Sequence, residues 1–238
     1  MHEDLRSRLT KLVESDRSSN AAFTALLDDY TRYHVALAVV GSAFLLLLLA
    51  LCWFFWRRCW RAPRPEGARR WTFEKMTYLS FGVVSALVAA SLIAVVAANV
   101  STSLNPRQGF AGSLRMIDTV GGGSATLARY DAFDAWIASS SPAVPSQVQA
   151  LVQQRLAWQQ PKAVIAAVLL VIVALACAGI WRSLIRRSRR SPGHWTLGAG
   201  ASLFTGSTAA AACLVLMLMV MGNTQASVAP ISMTMFFG

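Results

Sequence analysis

Four long apolar runs constrain the fold of this chain more than any other feature of its sequence. They cover residues 35–56, 77–98, 163–181 and 197–221, and none contains Asp, Glu, Lys or Arg. A helix needs about 20 apolar residues to cross the hydrocarbon core of a bilayer. In lipid, a helix also satisfies its own backbone hydrogen bonds. The runs therefore predict four transmembrane helices in an all-α, polytopic membrane protein.

Composition supports this prediction and argues against a soluble domain. Only 14% of the residues are charged and 55% are hydrophobic, whereas soluble domains carry about 25% charged residues. The first apolar run follows a polar segment with both charge signs, so we expect no cleavable signal peptide. We expect a multi-pass protein of the plasma membrane. The 19 Arg against 3 Lys favour a bacterial source.

The basic residues predict the orientation of the chain. Of the 22 Lys and Arg residues, 12 lie in two short turns, residues 57–76 and 182–196. Short loops rich in Lys and Arg stay in the cytoplasm, which places both termini and the central segment outside. The net charge of +11 then reflects topology and attraction to anionic headgroups. We expect the basic residues to interact with the lipid bilayer, and we expect no nucleic acid as a partner.

The two halves of the chain resemble each other, which predicts a tandem duplication. Ten of the 36 residues from 71 to 106 recur after a shift of 124 positions, among them Gly82/Gly206, Asn99/Asn223 and Pro106/Pro230. A shift of 125 pairs Cys52 with Cys177 in the preceding runs. We therefore predict two parallel repeats, residues 1–120 and 121–238. The alternative is that two apolar hairpins align this well through composition alone.

Helical segments are predicted outside the membrane in both repeats. Ser19 and Asn20 are suitable N-caps for a helix that continues into the first run. In the second repeat, external helices are predicted within residues 124–160, and Pro161 favours a kink or a break at the membrane boundary. Gly121–Gly123 is predicted to be a flexible joint between the repeats.

Short amphipathic stretches in these segments allow three interpretations. Apolar residues recur at helical spacing, as in Leu5, Leu9, Leu12 and Val13. The stripes pack on each other as a small helical cap, or they form a docking face for a partner, or they lie in the outer headgroup layer. The candidate docking residues are Tyr130, Phe133, Trp136 and Trp158.

Stripes of small residues mark the second and fourth runs. Such stripes let helices approach closely, because packing rather than water exclusion drives helix association in lipid. They predict a contact between these two helices or with a partner. The candidate residues are Gly82, Ala86, Ala90, Ala94, Gly198, Ser202, Gly206 and Ala210. Six tryptophans are predicted to form an aromatic belt at the cytoplasmic interface: Trp53, Trp56, Trp60, Trp71, Trp181 and Trp195.

No pattern in the chain indicates catalysis. Ionisable residues inside a membrane are costly and mark functional sites, and the four runs contain no Asp, Glu, Lys or Arg. His2, His34 and His194 are dispersed, and the four cysteines form no CxxC pair. We therefore expect no catalytic residues, no cofactor and no metal site.

Because no pattern indicates catalysis, we base the expected function on the packing of the helices. We expect a non-catalytic accessory or scaffold subunit that packs against a larger membrane protein or a second copy of itself. The alternative is a transporter or channel subunit that oligomerises around a pore, with Asn99 and Asn223 as candidate pore-lining residues. Hydroxyl residues such as Ser91 and Thr205 would line the same path, unless they bond to their own helices.

Overall fold

A computed structural model describes residues 2–15, 19–62, 72–118, 123–190 and 197–237. These residues form α-helices and one 3-10 helix, and they contain no strand. The helices are α1 (His2–Glu14), α2 (Ala21–Arg61), α3 (Phe73–Leu104), α4 (Pro106–Ser113), the 3-10 helix (Leu114–Asp118), α5 (Ser124–Ser139), α6 (Ser146–Arg190), α7 (Leu197–Val228) and α8 (Pro230–Phe237). The predicted all-α class is confirmed.

Four of the helices, α2, α3, α6 and α7, are long and apolar enough to cross a membrane. They contain the four charge-free runs. Each has between 32 and 45 residues, which exceeds the roughly 20 that a hydrocarbon core requires. The longest measures about 68 Å at about 1.5 Å per residue. These helices therefore extend well beyond the apolar runs on which the prediction rested.

Helix ends follow local sequence signals. The Oδ1 atom of Asn20 accepts a hydrogen bond from the backbone N–H of Phe23 at 2.9 Å, so Asn20 is the predicted N-cap of α2. Pro106 and Pro230 are the first residues of α4 and α8, where proline loses no helical hydrogen bond. Of the kink or break predicted at Pro161, the break is absent, because α6 continues through this residue. A proline removes only one N–H from the ladder, and long helical flanks hold both sides.

The chain forms two compact units. Unit 1 comprises Met1–Val39, Ala97–Ala163 and Met221–Gly238, and unit 2 comprises Val40–Val96 and Val164–Val220. Each unit contains residues from both predicted repeats. The helices α1 to α4 have lengths of 13, 41, 32 and 8 residues, and α5 to α8 have 16, 45, 32 and 8. The duplication stays a prediction, and the matching order of helix lengths agrees with it.

Some of the predicted segments lie outside the described residues. They are Gly121 and Gly122 of the joint, residues 63–71 and 191–196 of the two basic turns, and the tryptophans Trp71 and Trp195.

Unit 1 has an aromatic core around Phe110, which is fully buried. Its ring contacts Phe23 and Tyr30 of α2 at centroid distances of 5.8 and 5.3 Å, and Phe236 of α8 at 5.8 Å. Helix α1 packs on α4 and α5, and α5 packs on α8. Apolar side chains from α1, α2, the 3-10 helix, α5, α6 and α8 complete this core: Leu5, Leu9, Leu26, Leu114, Ile117, Phe133, Trp136, Ile137, Val148 and Met235.

Two ionic groups connect distant segments of unit 1. The buried carboxylate of Asp29 accepts hydrogen bonds from the backbone N–H and the hydroxyl of Ser232, both at 2.7 Å. Burial raises the pKa of Asp29, and the bonds from Ser232 partly oppose this rise. On the surface, the Nε–H of Arg8 donates to Asp134 at 2.9 Å. Asp29 thus holds α8 against α2, before the charge-free run that begins at Val35.

Replacing the N-cap of α2 tests this description of unit 1. The Nδ2 atom of Asn20 also donates to the carbonyl of Ile137 at 2.7 Å, so Asn20→Ala removes two hydrogen bonds. We expect it to cost about 1 to 2 kcal/mol of stability, measured by thermal unfolding of the full chain in detergent. Asn20→Ser keeps a capping oxygen without opposing the Ile137 carbonyl, and it should cost less. Equal losses would contradict the capping role, and the exposed neighbour Ser19→Ala is the control.

Candidate functional site

Two glycines of the predicted packing stripes contact the preceding helix within their own hairpins. A Cβ atom at Gly82 would lie 3.7 Å from Phe55 and Trp56 of α2, and one at Gly206 would lie 3.0 Å from Trp181 of α6. The thiols of Cys52 and Cys177 donate to the carbonyls of Gly82 and Gly206 at 3.6 and 3.7 Å. The two predicted repeats thus contain the same thiol–glycine contact at matching positions.

The alanines of the α3 stripe have a different environment from its glycine. Gly82 shares the buried face of α3 with Ser85, Ala89 and Leu92. The three alanines are exposed: Ala86, Ala90 and Ala94. The predicted stripe therefore divides, with the glycine packed inside the chain and an alanine face directed away from it.

The stripe of α7 divides in a similar way. Gly206 is buried, Gly198 is exposed, and Ser202 and Ala210 are partly buried. The predicted contact between the second and fourth runs stays a prediction.

Trp181 connects three helices of unit 2. Its indole N–H donates to the carbonyl of Gly206 in α7 at 3.1 Å, and its ring meets Phe81 of α3 edge-on at a centroid distance of 4.8 Å. Nearby in sequence, the guanidinium of Arg189 forms two hydrogen bonds with the carboxylate of Glu74, one of them at 2.7 Å. Trp181 is thus a packing residue, unlike the largely exposed belt residues Trp53 and Trp60.

The candidate docking aromatics are mostly buried in unit 1. Tyr130 is 2% exposed, and Phe133 and Trp136 are fully buried, in the core that contains Phe110. This burial agrees with the helical cap, because a docking face would need the same side chains at the surface. Trp158 is the exception at 67% exposed, and the ammonium of Lys162 lies 5.5 Å from its ring.

Asn99, a candidate pore residue, lies in a buried polar contact. Its Oδ1 atom is 2.6 Å from Nδ1 of His34, and Asn99 is 8% exposed. The ring of His34 also meets the ring of Tyr30 at 4.5 Å. Asn223 is partly buried, and its carbonyl accepts the hydroxyl of Ser227 as the carbonyl of Asn99 accepts that of Ser103. Sequence analysis missed the His34–Asn99 pair, which no local spacing indicates.

Hydroxyl groups in the apolar runs bond to their own helices. Ser91, Ser202 and Thr205 each donate to the carbonyl four residues earlier, at distances between 2.8 and 3.1 Å. Such bonds satisfy a hydroxyl in lipid without a second helix or water.

Sequence analysis also missed a buried arginine. Arg129 of α5 is only 5% exposed. The signal was present in the sequence, since Arg129 lies four residues before Phe133 and seven before Trp136, on the same face of a helix. An arginine within an apolar stripe indicates either a paired charge or a binding role.

The described residues offer no cluster typical of catalysis or metal binding. Among them, no three His, Cys, Asp or Glu side chains come together as metal ligands. Cys52, Cys59, Cys177 and Cys213 are free thiols.

Comparisons with known proteins identify no relative. No family of known proteins, no curated protein and no solved structure matches this chain.

The two glycine contacts make opposite predictions for alanine. Gly206→Ala brings its Cβ to 3.0 Å from Ile180 and Trp181, and overpacking of this kind costs about 1 to 3 kcal/mol. Gly82→Ala places its Cβ at an ordinary contact distance of 3.7 Å and should be nearly neutral. Thermal unfolding in detergent measures both variants. Equal stability of the two would contradict the close approach at Gly206.

Proposed function

We propose that this protein is a non-catalytic accessory or scaffold subunit that packs against a larger membrane protein. The exposed alanine face of α3, formed by Ala86, Ala90 and Ala94, carries this proposal. Small residues at i, i+4 spacing let a second helix approach closely, and helix association in lipid depends on such packing. Within the chain α3 uses its other face, so the alanine face remains available to a partner.

The spanning helices leave most of their apolar surface available. Of the most apolar 18-residue stretch in each, between 6% and 22% is buried within the chain. Lipid can cover bulky exposed residues such as Leu46 and Leu47. The alanine face supports a protein partner there instead, because small side chains give lipid tails little to pack against and a neighbouring helix a close fit.

Two glycines give independent support. No heavy atom outside the local helix lies within 4 Å of the Cβ positions of Gly179 and Gly200. Glycine within a helix costs about 1 kcal/mol relative to alanine, and none of the described residues occupies the space at these two positions. Close approach by a helix from outside the chain accounts for glycine at both sites.

The transporter or channel alternative has less support. Asn99 is bonded to His34, and Ser91, Ser202 and Thr205 bond to their own backbones. These groups have the partners that water in a pore would otherwise supply. A scaffold needs no water-filled path through the membrane.

The proposal includes the orientation deduced from the basic turns, with residues 57–76 and 182–196 in the cytoplasm and the plasma membrane as location. Aromatic anchors at both ends of the spans support the membrane-spanning arrangement. Trp53 and Trp60 are exposed close to the first basic turn, and Trp158 with Lys162 precedes the run that begins at Ala163.

Recovery of a partner tests the proposal. Purification of the tagged chain from its native membrane in mild detergent should yield a stoichiometric, unrelated membrane protein. Ala90→Leu enlarges the alanine face and should lower recovery of that protein about tenfold, equivalent to about 1.4 kcal/mol of binding. Ala174→Leu, at an exposed alanine of α6, is the matched control. A homo-oligomer surrounding a continuous aqueous path would contradict the scaffold and favour the channel.

Cysteine labelling tests the orientation. In a chain freed of its native cysteines, Ser139→Cys should react with a membrane-impermeant maleimide on intact cells, while Ser188→Cys should react only after permeabilisation. The permeabilised sample shows that both thiols are accessible to the reagent. Labelling of Ser188→Cys alone on intact cells would reverse the proposed topology.

A further inference from the structure

Two arginines of unit 1 contain buried hydrogen-bond donors without acceptors. Arg129 of α5 is 5% exposed, and its Nε and Nη2 atoms are buried with no partner among the described residues. Arg155 of α6 is partly exposed, and its Nε atom is buried and equally unpartnered. Three N–H-bearing nitrogens thus lack an oxygen acceptor within one compact unit.

Such an arrangement needs a compensating acceptor, and none of the described residues supplies one. A guanidinium stays charged at any physiological pH and has only donors, and buried charges in proteins are normally paired. The guanidinium of Arg129 lies 5.1 Å from the ring of Tyr130. The ring face attracts the positive charge but offers no oxygen to the planar guanidinium.

Two carboxylates of unit 1 are engaged with other partners. The buried Asp29 binds Ser232, and Asp134 binds Arg8. Burial, and after it the charge of Arg129, lowers the pKa of Arg155, so the two cations are close enough to repel each other. Arg155 lies eight residues before Ala163, outside the charge-free run.

The corresponding position in the first repeat has no such charge. Under the shift of 125 positions, Arg155 corresponds to Tyr30. Tyr30 is neutral and its hydroxyl bonds to Ser113 at 3.0 Å. If the repeats share one origin, their common fold does not require a cation here, and the arginine in the second repeat serves a purpose of its own.

We propose that Arg129 and Arg155 form a binding site for a phosphate group. A phosphate offers three or more oxygens and one to two negative charges, which suits several donors on two guanidinium groups, and arginine binds it bidentately. The partly exposed Arg155 provides access from solvent. The phosphate is either free or part of a lipid headgroup, since Arg155 lies about 12 Å along α6 before the apolar run.

Binding of two phosphate ligands to the full chain in detergent tests the site. Inorganic phosphate and dihexanoyl phosphatidic acid are titrated at constant ionic strength, with dihexanoylglycerol as the uncharged lipid control, and binding is followed by equilibrium dialysis and thermal unfolding. We expect saturable binding by the wild type. Binding of phosphatidic acid alone would identify a lipid headgroup as the source, and binding of both would identify the phosphate group itself as the recognised chemistry.

Three variants locate the binding. Arg129→Lys keeps the charge but loses the planar fork, and Arg155→Met removes the more accessible cation. Each should weaken binding by about tenfold or more. Arg115→Met, at an exposed arginine of the same unit, should bind as the wild type does. Absence of saturable binding by the wild type, or wild-type affinity in both site variants, would overturn the proposal.

Discussion

The rest of the structure depends on one constraint, which is that a hydrocarbon core supplies no water for hydrogen bonds. A chain that crosses it must satisfy every backbone group internally, so the four apolar runs form uninterrupted helices. Charges are excluded for the same reason. Even the hydroxyls obey this rule, since Ser91 and Thr205 bond to carbonyls of their own helices. Water exclusion does not drive helix association in lipid, so close packing and interhelical hydrogen bonds hold such helices together. In unit 2, Gly82, Gly206 and Trp181 make contacts of both kinds.

Unit 1 follows the familiar rules of a soluble core. Large aromatic side chains converge on Phe110, and the buried carboxylate of Asp29 is paired with donors of Ser232, as the rule for buried polar groups requires. Arg129 departs from this rule, because its buried donors have no acceptor within the described chain. Exceptions of this kind are informative, since burying an unpaired charge costs more than most single contacts return. They mark the places where a protein depends on something outside itself.

Sequence reasoning succeeded where a local rule decides the outcome. Asn20 caps α2, and the four apolar runs lie in long helices. Of the kink or break predicted at Pro161, the break is absent, since long flanks carry α6 through a residue that often ends a helix. For the candidate sites, sequence reasoning identified the stripes of small residues. It could not tell which of those residues are buried and which are exposed, because the neighbouring helix decides which face of a helix is covered. Tyr130, Phe133 and Trp136 were ambiguous for the same reason, since an apolar stripe looks alike whether it faces a core or a partner.

The sequence alone determined the all-helical class, the number of spanning helices and the poverty of ionisable groups in the spans. These follow from composition and periodicity along the chain, because whether a segment enters the bilayer depends on the residues of that segment. Only the tertiary structure decided which residues meet across large separations in the chain: His34 with Asn99, Asp29 with Ser232, and Trp181 with Gly206. It also decided that Gly82 packs inside while Ala90 remains exposed, and that the Nε and Nη2 atoms of Arg129 are buried with no acceptor among the described residues. The physical reason is that burial and pairing belong to the packing of several helices together, and no single segment contains that information.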